Sequence, residues 1–203
     1  SDMFRIVPRQ IADTVARGIV IDPAISNKPG ADLSAIGVVG MTDKGIIHVY
    51  DLWMKRGATP REQIDNYFRL RVMWETNRHG AEAVAYQAAL IHLLREEMWR
   101  KSKEFGDKAY FEIEEIFPGK RSKDERVEGI LSPRYASGYI THQRAFPEYE
   151  AMLLDWPHGK KDGPDVVAMA VAMLDPFAGY AINDPEKITG DSYEALDYVG
   201  GAP

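Results

Sequence analysis

Two aspartates each border an apolar segment, and these segments lie far apart in the chain. Asp22 ends the β-branched run 19–21 and precedes Pro23, and Asp165 begins an apolar segment that reaches Leu174. Carboxylate oxygens are the ligands that Mg²⁺ and Mn²⁺ prefer, and two such ions about 4 Å apart can activate a water and stabilise a leaving oxygen. The pair therefore indicates metal-dependent phosphodiester hydrolysis, although Asp22 alone could form a turn and Asp165 alone could cap a helix.

The composition excludes several classes of protein. The 203 residues include no cysteine, which excludes disulfides, thiolate zinc sites and cysteine nucleophiles. Any metal must therefore bind through Asp, Glu or His. No apolar run approaches the roughly 20 residues of a membrane span, and the N-terminus lacks the pattern of a signal peptide. These features predict a single cytoplasmic domain.

The charge pattern predicts that any contact with nucleic acid is local. The formal net charge is −6, whereas binding over a whole surface requires an excess of Lys and Arg to neutralise phosphates. Basic residues cluster at 120–126 and at 158–161, and acidic residues concentrate at 112–115 and beyond Asp184. Each basic cluster is either a phosphate-binding patch or a solvated face.

The order of apolar runs and turn signals predicts an α/β fold. The predicted strands cover residues 19–22, 33–41, 46–53, 83–86, 110–117 and 138–141. The first three form an antiparallel meander, since turn residues separate the second from the third. Predicted helices run from Pro60 to about 80, with a capping box at Thr59 and Glu62, and then at 88–103, up to 131, and at 147–154 and 165–174. This order predicts a mixed sheet with helices on both faces.

The boundaries of this domain follow from the same pattern. Residues 18–176 hold all the predicted elements. Residues 1–17 are interpreted as a linker remnant or N-terminal extension. Residues 177–203 alternate Pro, Gly and acidic residues with little periodicity, which predicts a loosely packed acidic tail.

Several short segments occur in an order that resembles one known family. They are the Asp-Pro-Ala turn at 22–24 with Asp-Leu-Ser-Ala at 32–35, the run 84–91, the segment 122–140 with Lys123, Arg126, Pro133 and Gly138, and Trp-Pro-His-Gly-Lys-Lys-Asp-Gly-Pro-Asp at 156–165. This order is similar to that of the nuclease domains of phage terminase large subunits, which belong to the ribonuclease H-like superfamily. The match spans most of residues 18–175.

The resemblance implies a set of catalytic acids and two divalent metal ions, Mg or Mn. Asp22 would bridge the two ions, Asp165 would hold the second, and Asp162 would lie nearby. The nuclease domains of this family also have an Asp or Glu at the end of their fourth strand. Two positions are open for it: Gln87, where the predicted strand places an amide, and Glu82, which the predicted strand places at its start.

Other roles are also carried over from the resemblance. Asp32 and His158 would act in the outer shell of the metal site. The residues assigned to DNA contacts are Lys120, Arg121, Lys123, Arg126, Lys160 and Lys161. Lys123 and Arg126 are assigned to phosphates because a helix start with added cations favours anions.

The expected function is endonucleolytic cleavage of double-stranded DNA, with little sequence specificity, during phage genome packaging in the cytoplasm of an infected bacterium. The phosphate loop of a packaging ATPase does not occur in this sequence. The expected partners are therefore DNA, the ATPase domain of the same large subunit, the portal and the small terminase subunit. Two alternatives stay open: another ribonuclease H-like nuclease such as a junction resolvase, and a non-catalytic docking domain.

Overall fold

The computed structural model describes residues 3–23, 33–82, 87–116 and 122–175, without the side chains of 87–90, 104, 105, 107 and 108. Its strands are β1 (Arg5–Ile6), β2 (Ala16–Asp22), β3 (Leu33–Met41), β4 (Ile47–Arg56), β5 (Arg78–Glu82), β6 (Glu114–Ile116) and β7 (Ile140–His142). Its α-helices are α1 (Pro60–Met73), α2 (Gln87–Phe105), α3 (Lys123–Ile130), α4 (Ser132–Ala136), α5 (Pro147–Leu154) and α6 (Asp162–Leu174). Among these helices none is both long and apolar enough to cross a membrane.

These strands form one mixed sheet in the order β1-β7-β4-β3-β2-β5-β6. The predicted meander is present, because β3 pairs antiparallel with both β2 and β4. The pairs β2–β5, β5–β6, β4–β7 and β1–β7 are parallel. Strands β2, β4 and β5 therefore run in the same direction, and their C-terminal ends meet at one edge of the sheet.

Helices cover both faces of the sheet, as the sequence predicts. On one face, Ile19 and Ile21 of β2 pack with residues of α1 and α2. On the other face, Val20 packs with apolar residues of α3 to α6. Since side chains alternate along a strand, Asp22 shares the second face with Val20 and lies toward α6.

Two glycines allow α6 to lie close to this face. A Cβ atom at Gly18 of β2 would lie 2.6 Å from Met173 Cε, and one at Gly80 of β5 would lie 3.1 Å from Met173 Sδ. The first distance is shorter than Cβ atoms adopt and the second is tighter than most Cβ contacts, so α6 lies this close because both strand positions lack a side chain. The close packing fixes the position of the N-terminus of α6 relative to the ends of β2 and β5.

The helix that follows the meander begins as the capping pattern predicts. Thr59 Oγ1 accepts a hydrogen bond from the Glu62 backbone amide, and the Glu62 carboxylate accepts one from the Thr59 amide. Pro60 occupies the first turn. The helix ends at Met73 rather than near Gly80, because residues 78–82 belong to β5.

The structure has a strand, β5, that was not predicted from the sequence. The fourth large strand was predicted at 83–86, an apolar run that lies outside the described residues. The strand Arg78–Glu82 pairs in parallel with β2 from Gly18 to Ile21. Glu82 is the last residue of β5, whereas the predicted strand placed it at a strand start.

The N-terminal segment contributes to the sheet. Sequence analysis interprets 1–17 as a linker remnant or extension, but β1 extends the edge of the sheet beside β7 and β2 begins at Ala16. Phe4 stacks on the ring of His142, and the Tyr50 hydroxyl donates to the Gln10 carbonyl at 3.1 Å. The described part of this segment is thus packed onto the domain. The predicted tail at 177–203 lies outside the described residues.

Candidate active site

Two adjacent parallel strands end in acidic residues on the same face. Ile21 of β2 is in register with Ala81 of β5, so Asp22 and Glu82 are the next residues of neighbouring strands. Both side chains are buried, with 6% and 7% exposure. Burial of a carboxylate requires a partner or a ligand, because the cost of removing an unpaired charge from water is several kcal/mol. The ends of β2 and β5 therefore form a candidate functional site.

The first turn of α6 brings two more carboxylates to the same edge. Asp162 and Asp165 lie in this turn, and their exposures are 5% and 0%. Asp162 Oδ2 accepts a hydrogen bond of 3.2 Å from the backbone amide of Leu33, at the start of β3. Carboxylates in a first turn are stabilised by the partial positive charge of the helix N-terminus. The helix begins at Asp162, which is earlier than the predicted start at Asp165.

The ammonium group of Lys123 lies at the point where three of these carboxylates converge. Its nitrogen is 3.0 Å from Asp22 Oδ2, 3.0 Å from Asp162 Oδ1 and 3.6 Å from Asp165 Oδ2. Lys123 is the first residue of α3, and a capping box between Ser122 and Glu125 fixes this helix start. The start of α3 thus supplies one positive charge to the acidic cluster.

Arg126, one turn further along α3, supplies the second positive charge. Its Nε donates to Asp165 Oδ1 at 2.8 Å and its Nη2 donates to Asp165 Oδ2 at 2.7 Å. The same Nη2 lies 3.6 Å from Glu82 Oε1. The guanidinium therefore connects an acid of α6 with the acid that ends β5.

The pKa values of the clustered acids indicate that their negative charges outnumber the nearby positive charges. Burial raises the pKa of Asp22, and the neighbouring Glu82 raises it further, against the opposing effect of Lys123. Burial also raises the pKa of Asp165, against the effect of Arg126. For Lys123 burial acts to lower the pKa, but the nearby carboxylates outweigh it and the pKa is raised. Among the described residues, four acids face two cations, so additional positive charge would stabilise the ionised cluster.

The chemistry of these donors fits a hard divalent cation. In the described part of the chain, no three acidic or histidine side chains are already arranged to hold a metal. Instead, the Lys123 ammonium is the cation on which oxygens of Asp22, Asp162 and Asp165 converge. Carboxylate oxygens drawn from remote segments are the ligands expected for Mg²⁺ or Mn²⁺. The ammonium thus marks a cation position within the cluster.

Lys123 and Arg126 were predicted to contact phosphates, and in the structure both are ion-paired with the acids. Lys161 is ion-paired as well, with its nitrogen 2.6 Å from Asp124 Oδ1. Lys160 and His158 are exposed at the loop before α6. The structure therefore brings the first two cations into the cluster and leaves Lys160 at the surface.

Other predicted site residues lie outside the described residues. They are Asp32, Lys120, Arg121 and the side chain of Gln87. The backbone of Gln87 is described as the first residue of α2. Of the two open positions for the further acid, only Glu82 is therefore shown next to Asp22.

Arg56, the last residue of β4, is a candidate for contact with an anionic ligand that was not predicted from the sequence. It is exposed and in register with Leu33, whose amide binds Asp162. Met54 faces α6, since a Cβ atom at Gly163 would lie 2.9 Å from its sulfur, and alternation places Arg56 on the same face. The predicted meander could have indicated Arg56, because two antiparallel pairings place the end of β4 at the same edge of the sheet as Asp22.

Comparison with known proteins gives similarities to solved structures. No family model and no curated protein matches the sequence. Two crystal structures of the large terminase nuclease from the thermophilic phage G20c are similar: one, with bound zinc, has a TM-score of 0.55 at 16% identity, and the other has a TM-score of 0.50 at 17% identity. Each similarity covers 84% of this chain and 94% of the phage chain. The yeast mitochondrial Holliday junction resolvase Ydc2 has a TM-score of 0.49 at 15% identity, covering 83% of this chain and 86% of its own.

The similarity to the two phage structures agrees with the observed topology. The mixed seven-stranded sheet, its antiparallel meander and the helices on both faces form a ribonuclease H-like fold. The fold predicted from the sequence is therefore confirmed.

Proposed function

We propose that this ribonuclease H-like chain is a metal-dependent endonuclease that cleaves double-stranded DNA, equivalent to the nuclease domain of a phage terminase large subunit. One observation carries the proposal: four buried carboxylates, from the ends of β2 and β5 and the start of α6, meet at one edge of the sheet. Buried acids in such a number destabilise a fold unless cations neutralise them, so their presence together supports a functional site.

In the proposed mechanism, Asp22, Glu82 and Asp165 would hold two divalent ions, Mg²⁺ or Mn²⁺, and Asp162 would assist them. Such ions supply an activated water and stabilise charge on the leaving oxygen. The side chains of this chain fix the geometry. Arg126 orients both oxygens of Asp165, and the Leu33 amide holds one oxygen of Asp162. Glu82 is preferred to Gln87 as the further acid because its strand places it beside Asp22.

The proposed DNA backbone contacts are the exposed cations beside the cluster. Arg56 lies at the end of β4 and Lys160 lies before α6, and neither forms an ion pair with the described residues. Lys120 and Arg121 stay predicted contacts. The contacts are to phosphates, so we expect little dependence on base sequence.

The terminase assignment rests on the order of sequence segments and on the fold shared with a terminase nuclease. It implies that the chain works with an ATPase domain, a portal and a small terminase subunit during genome packaging. This setting places the protein in the cytoplasm of an infected bacterium. The alternative assignments differ in substrate, so substrate choice is the property to measure.

The test uses the full chain with supercoiled plasmid, linear duplex, a four-way junction and an RNA–DNA hybrid, each in Mn²⁺, Mg²⁺ or EDTA. The proposal predicts nicking and linearisation of the plasmid and cutting of the linear duplex with metal, and no cutting in EDTA. Preference for the junction would favour a resolvase, and preference for the hybrid would favour a ribonuclease. A folded protein that cuts none of the four would overturn the nuclease proposal and favour a docking domain.

A further inference from the structure

We infer that Lys123 is an exchangeable cation that holds the metal position while the protein is free of metal and leaves it when a divalent ion binds. The inference rests on the proposed function and concerns how the same site is loaded. It starts from the position of one nitrogen atom. The Lys123 ammonium lies within 3.6 Å of carboxylate oxygens from Asp22, Asp162 and Asp165, which come from two separate elements of the fold.

This position is where a metal would have to bind. The three oxygens face one point, and a cation at that point interacts with all of them. An ammonium ion and a divalent metal cannot share the position, since both are positively charged and each requires the same oxygens. Metal binding at these carboxylates therefore requires the Lys123 side chain to move away.

The surroundings of Lys123 allow this movement. Its side chain is 34% exposed, so a route to solvent is open. A lysine side chain is a flexible four-carbon stem with a point charge, and its bonds to carboxylates have no fixed planar geometry. It can therefore leave the cluster without a change in the backbone of α3.

Arg126 differs from Lys123 in each of these respects. Its side chain is 10% exposed, and it is held by two hydrogen bonds to Asp165. A planar guanidinium in a bidentate pair resists displacement more strongly than an ammonium. Arg126 is thus the fixed cation of the cluster and Lys123 the exchangeable one.

The exchange has a consequence for charge. One ammonium is replaced by one or two divalent ions, so the cluster gains positive charge as the lysine leaves. The released ammonium at the start of α3 remains beside the site, where it can contact an anionic backbone. Lys123 would thus meet the role predicted from the sequence only after metal has bound.

The test measures Mn²⁺ binding to the full chain by calorimetry, without DNA, for the wild type and three variants. Lys123→Met removes the competing charge and keeps the stem, so Mn²⁺ should bind roughly tenfold more tightly or more. Lys123→Arg introduces a planar fork that pairs more firmly with carboxylates, so Mn²⁺ should bind more weakly than to the wild type. A purely structural role for Lys123 would weaken binding in both variants.

The matched control is Lys161→Met. Lys161 is a neighbouring lysine with a similar exposure of 31%, and it pairs with Asp124, which does not belong to the cluster. Its substitution should leave Mn²⁺ affinity within about twofold of the wild type. Thermal melting of each variant in EDTA establishes that it folds. If Lys123→Met does not fold, Lys123→Arg decides, and wild-type affinity in that variant overturns the inference.

The outcomes separate this inference from the proposed function. If the wild type cuts plasmid with Mn²⁺ but Lys123→Met binds Mn²⁺ no more tightly, the exchange is wrong and the nuclease proposal stands. If Lys123→Met binds Mn²⁺ while the wild type neither binds it nor cuts, Lys123 blocks the site permanently, and both the exchange and the nuclease proposal fail. Absence of binding in every form overturns both.

Discussion

Arg126 and Asp165 form a bidentate ion pair in the interior, with distances of 2.8 Å from Nε to Oδ1 and 2.7 Å from Nη2 to Oδ2. Asp165 has no solvent exposure and the Arg126 side chain has 10%. The pair joins α3 to α6 and sets the orientation of an acid in the proposed metal site. It therefore connects the stability of the domain with its proposed activity.

Arg126→Met should destabilise the domain by about 3–5 kcal/mol, because the buried Asp165 loses both hydrogen bonds of its bidentate partner. Arg78→Met is the control, since Arg78 also pairs with a carboxylate, at 2.8 Å from Glu114, but both side chains are more than 40% exposed. Loss of that exposed pair should cost at most about 1 kcal/mol. Urea denaturation in EDTA measures both values. Equal losses would contradict the view that Arg126 neutralises a buried acid.

We predict that Glu82, and not the side chain at position 87, is the metal-binding acid that acts together with Asp22 and Asp165. Glu82→Gln should reduce metal-dependent plasmid cleavage by at least about 100-fold, since it removes a carboxylate ligand. Gln87→Ala should cleave at nearly the wild-type rate, and Gln87→Glu should give no gain. Initial nicking rates in Mn²⁺ decide between the two positions. A large gain in Gln87→Glu together with normal cleavage by Glu82→Gln would place the acid at 87.

The location of β5 explains why the sequence alone left these two positions open. Residues 78–82 read Arg-His-Gly-Ala-Glu, which has little β-propensity, whereas 83–86 form an apolar run typical of a buried strand. Parallel pairing with β2 and the close approach of α6 at Gly80 fix the position of β5. Both are tertiary contacts, so no local pattern indicates them.

Arg56 and Lys160 should contribute to DNA binding through phosphates. For each contact that is lost, the slope of log K against log salt concentration should become less steep by about 0.9. We therefore expect Arg56→Ala and Lys160→Ala each to weaken duplex binding and to reduce the slope. Lys44→Ala is the control, since Lys44 is exposed in the turn between β3 and β4 at the opposite edge of the sheet. Fluorescence anisotropy in EDTA, where no cleavage occurs, gives each slope.

An unchanged slope in Arg56→Ala would exclude a phosphate contact by this residue. A change of the same size in Lys44→Ala would show that DNA does not follow the edge that carries the acids. Either result can be obtained whether or not the protein cleaves DNA, so the binding path is tested separately from catalysis.

The basic residues show the limit of reading charge from sequence. The sequence predicted a loop-to-helix start around Lys123 and Arg126, and the structure places both residues on α3, which begins with a capping box between Ser122 and Glu125. Their partners Asp22, Asp162 and Asp165 lie far away in the sequence. From the sequence, a helix start with cations predicts an anion-binding site. The fold shows that the anions bound there are carboxylates of the same chain.

The meander and α1 were predictable because their signals are local in the sequence. Leu33–Met41 and the helix start at Pro60 follow local signals, which are an apolar run, turn residues and a capping box. The short strand β1, which was not predicted, carries a weak local signal and depends on its neighbour. β1 has only two residues and is stabilised by pairing with β7.

His48 should make stability depend on pH. Its ring is fully buried between Thr141 Oγ1 and Gln143 Oε1, each 2.8 Å away, and burial lowers its pKa to about 4 from 6.5. The unfolded chain therefore binds a proton more readily than the folded protein between these values. The stability due to neutral His48 is present above pH 6.5 and is lost as the pH falls toward 4, by up to about 3 kcal/mol.

His48→Gln should flatten this part of the stability profile in urea denaturation between pH 4 and 7 in EDTA. His92→Gln is the control, because the His92 side chain is 71% exposed on α2. That variant should keep the wild-type dependence on pH. If His48→Gln and the wild type lose stability equally over this range, His48 is not the group responsible.

The central claim is that the acids at the ends of β2 and β5 and the start of α6 form a nuclease site. The most direct measurement compares Mn²⁺-dependent nicking of supercoiled plasmid by the wild type, Asp22→Asn and Asp51→Asn, after melting shows that each is folded. Asp51 is also buried, but it binds Trp74 and Arg144 outside the cluster. We predict at least about a 100-fold loss in Asp22→Asn and near wild-type nicking in Asp51→Asn. Equal nicking by the wild type and Asp22→Asn would contradict the claim.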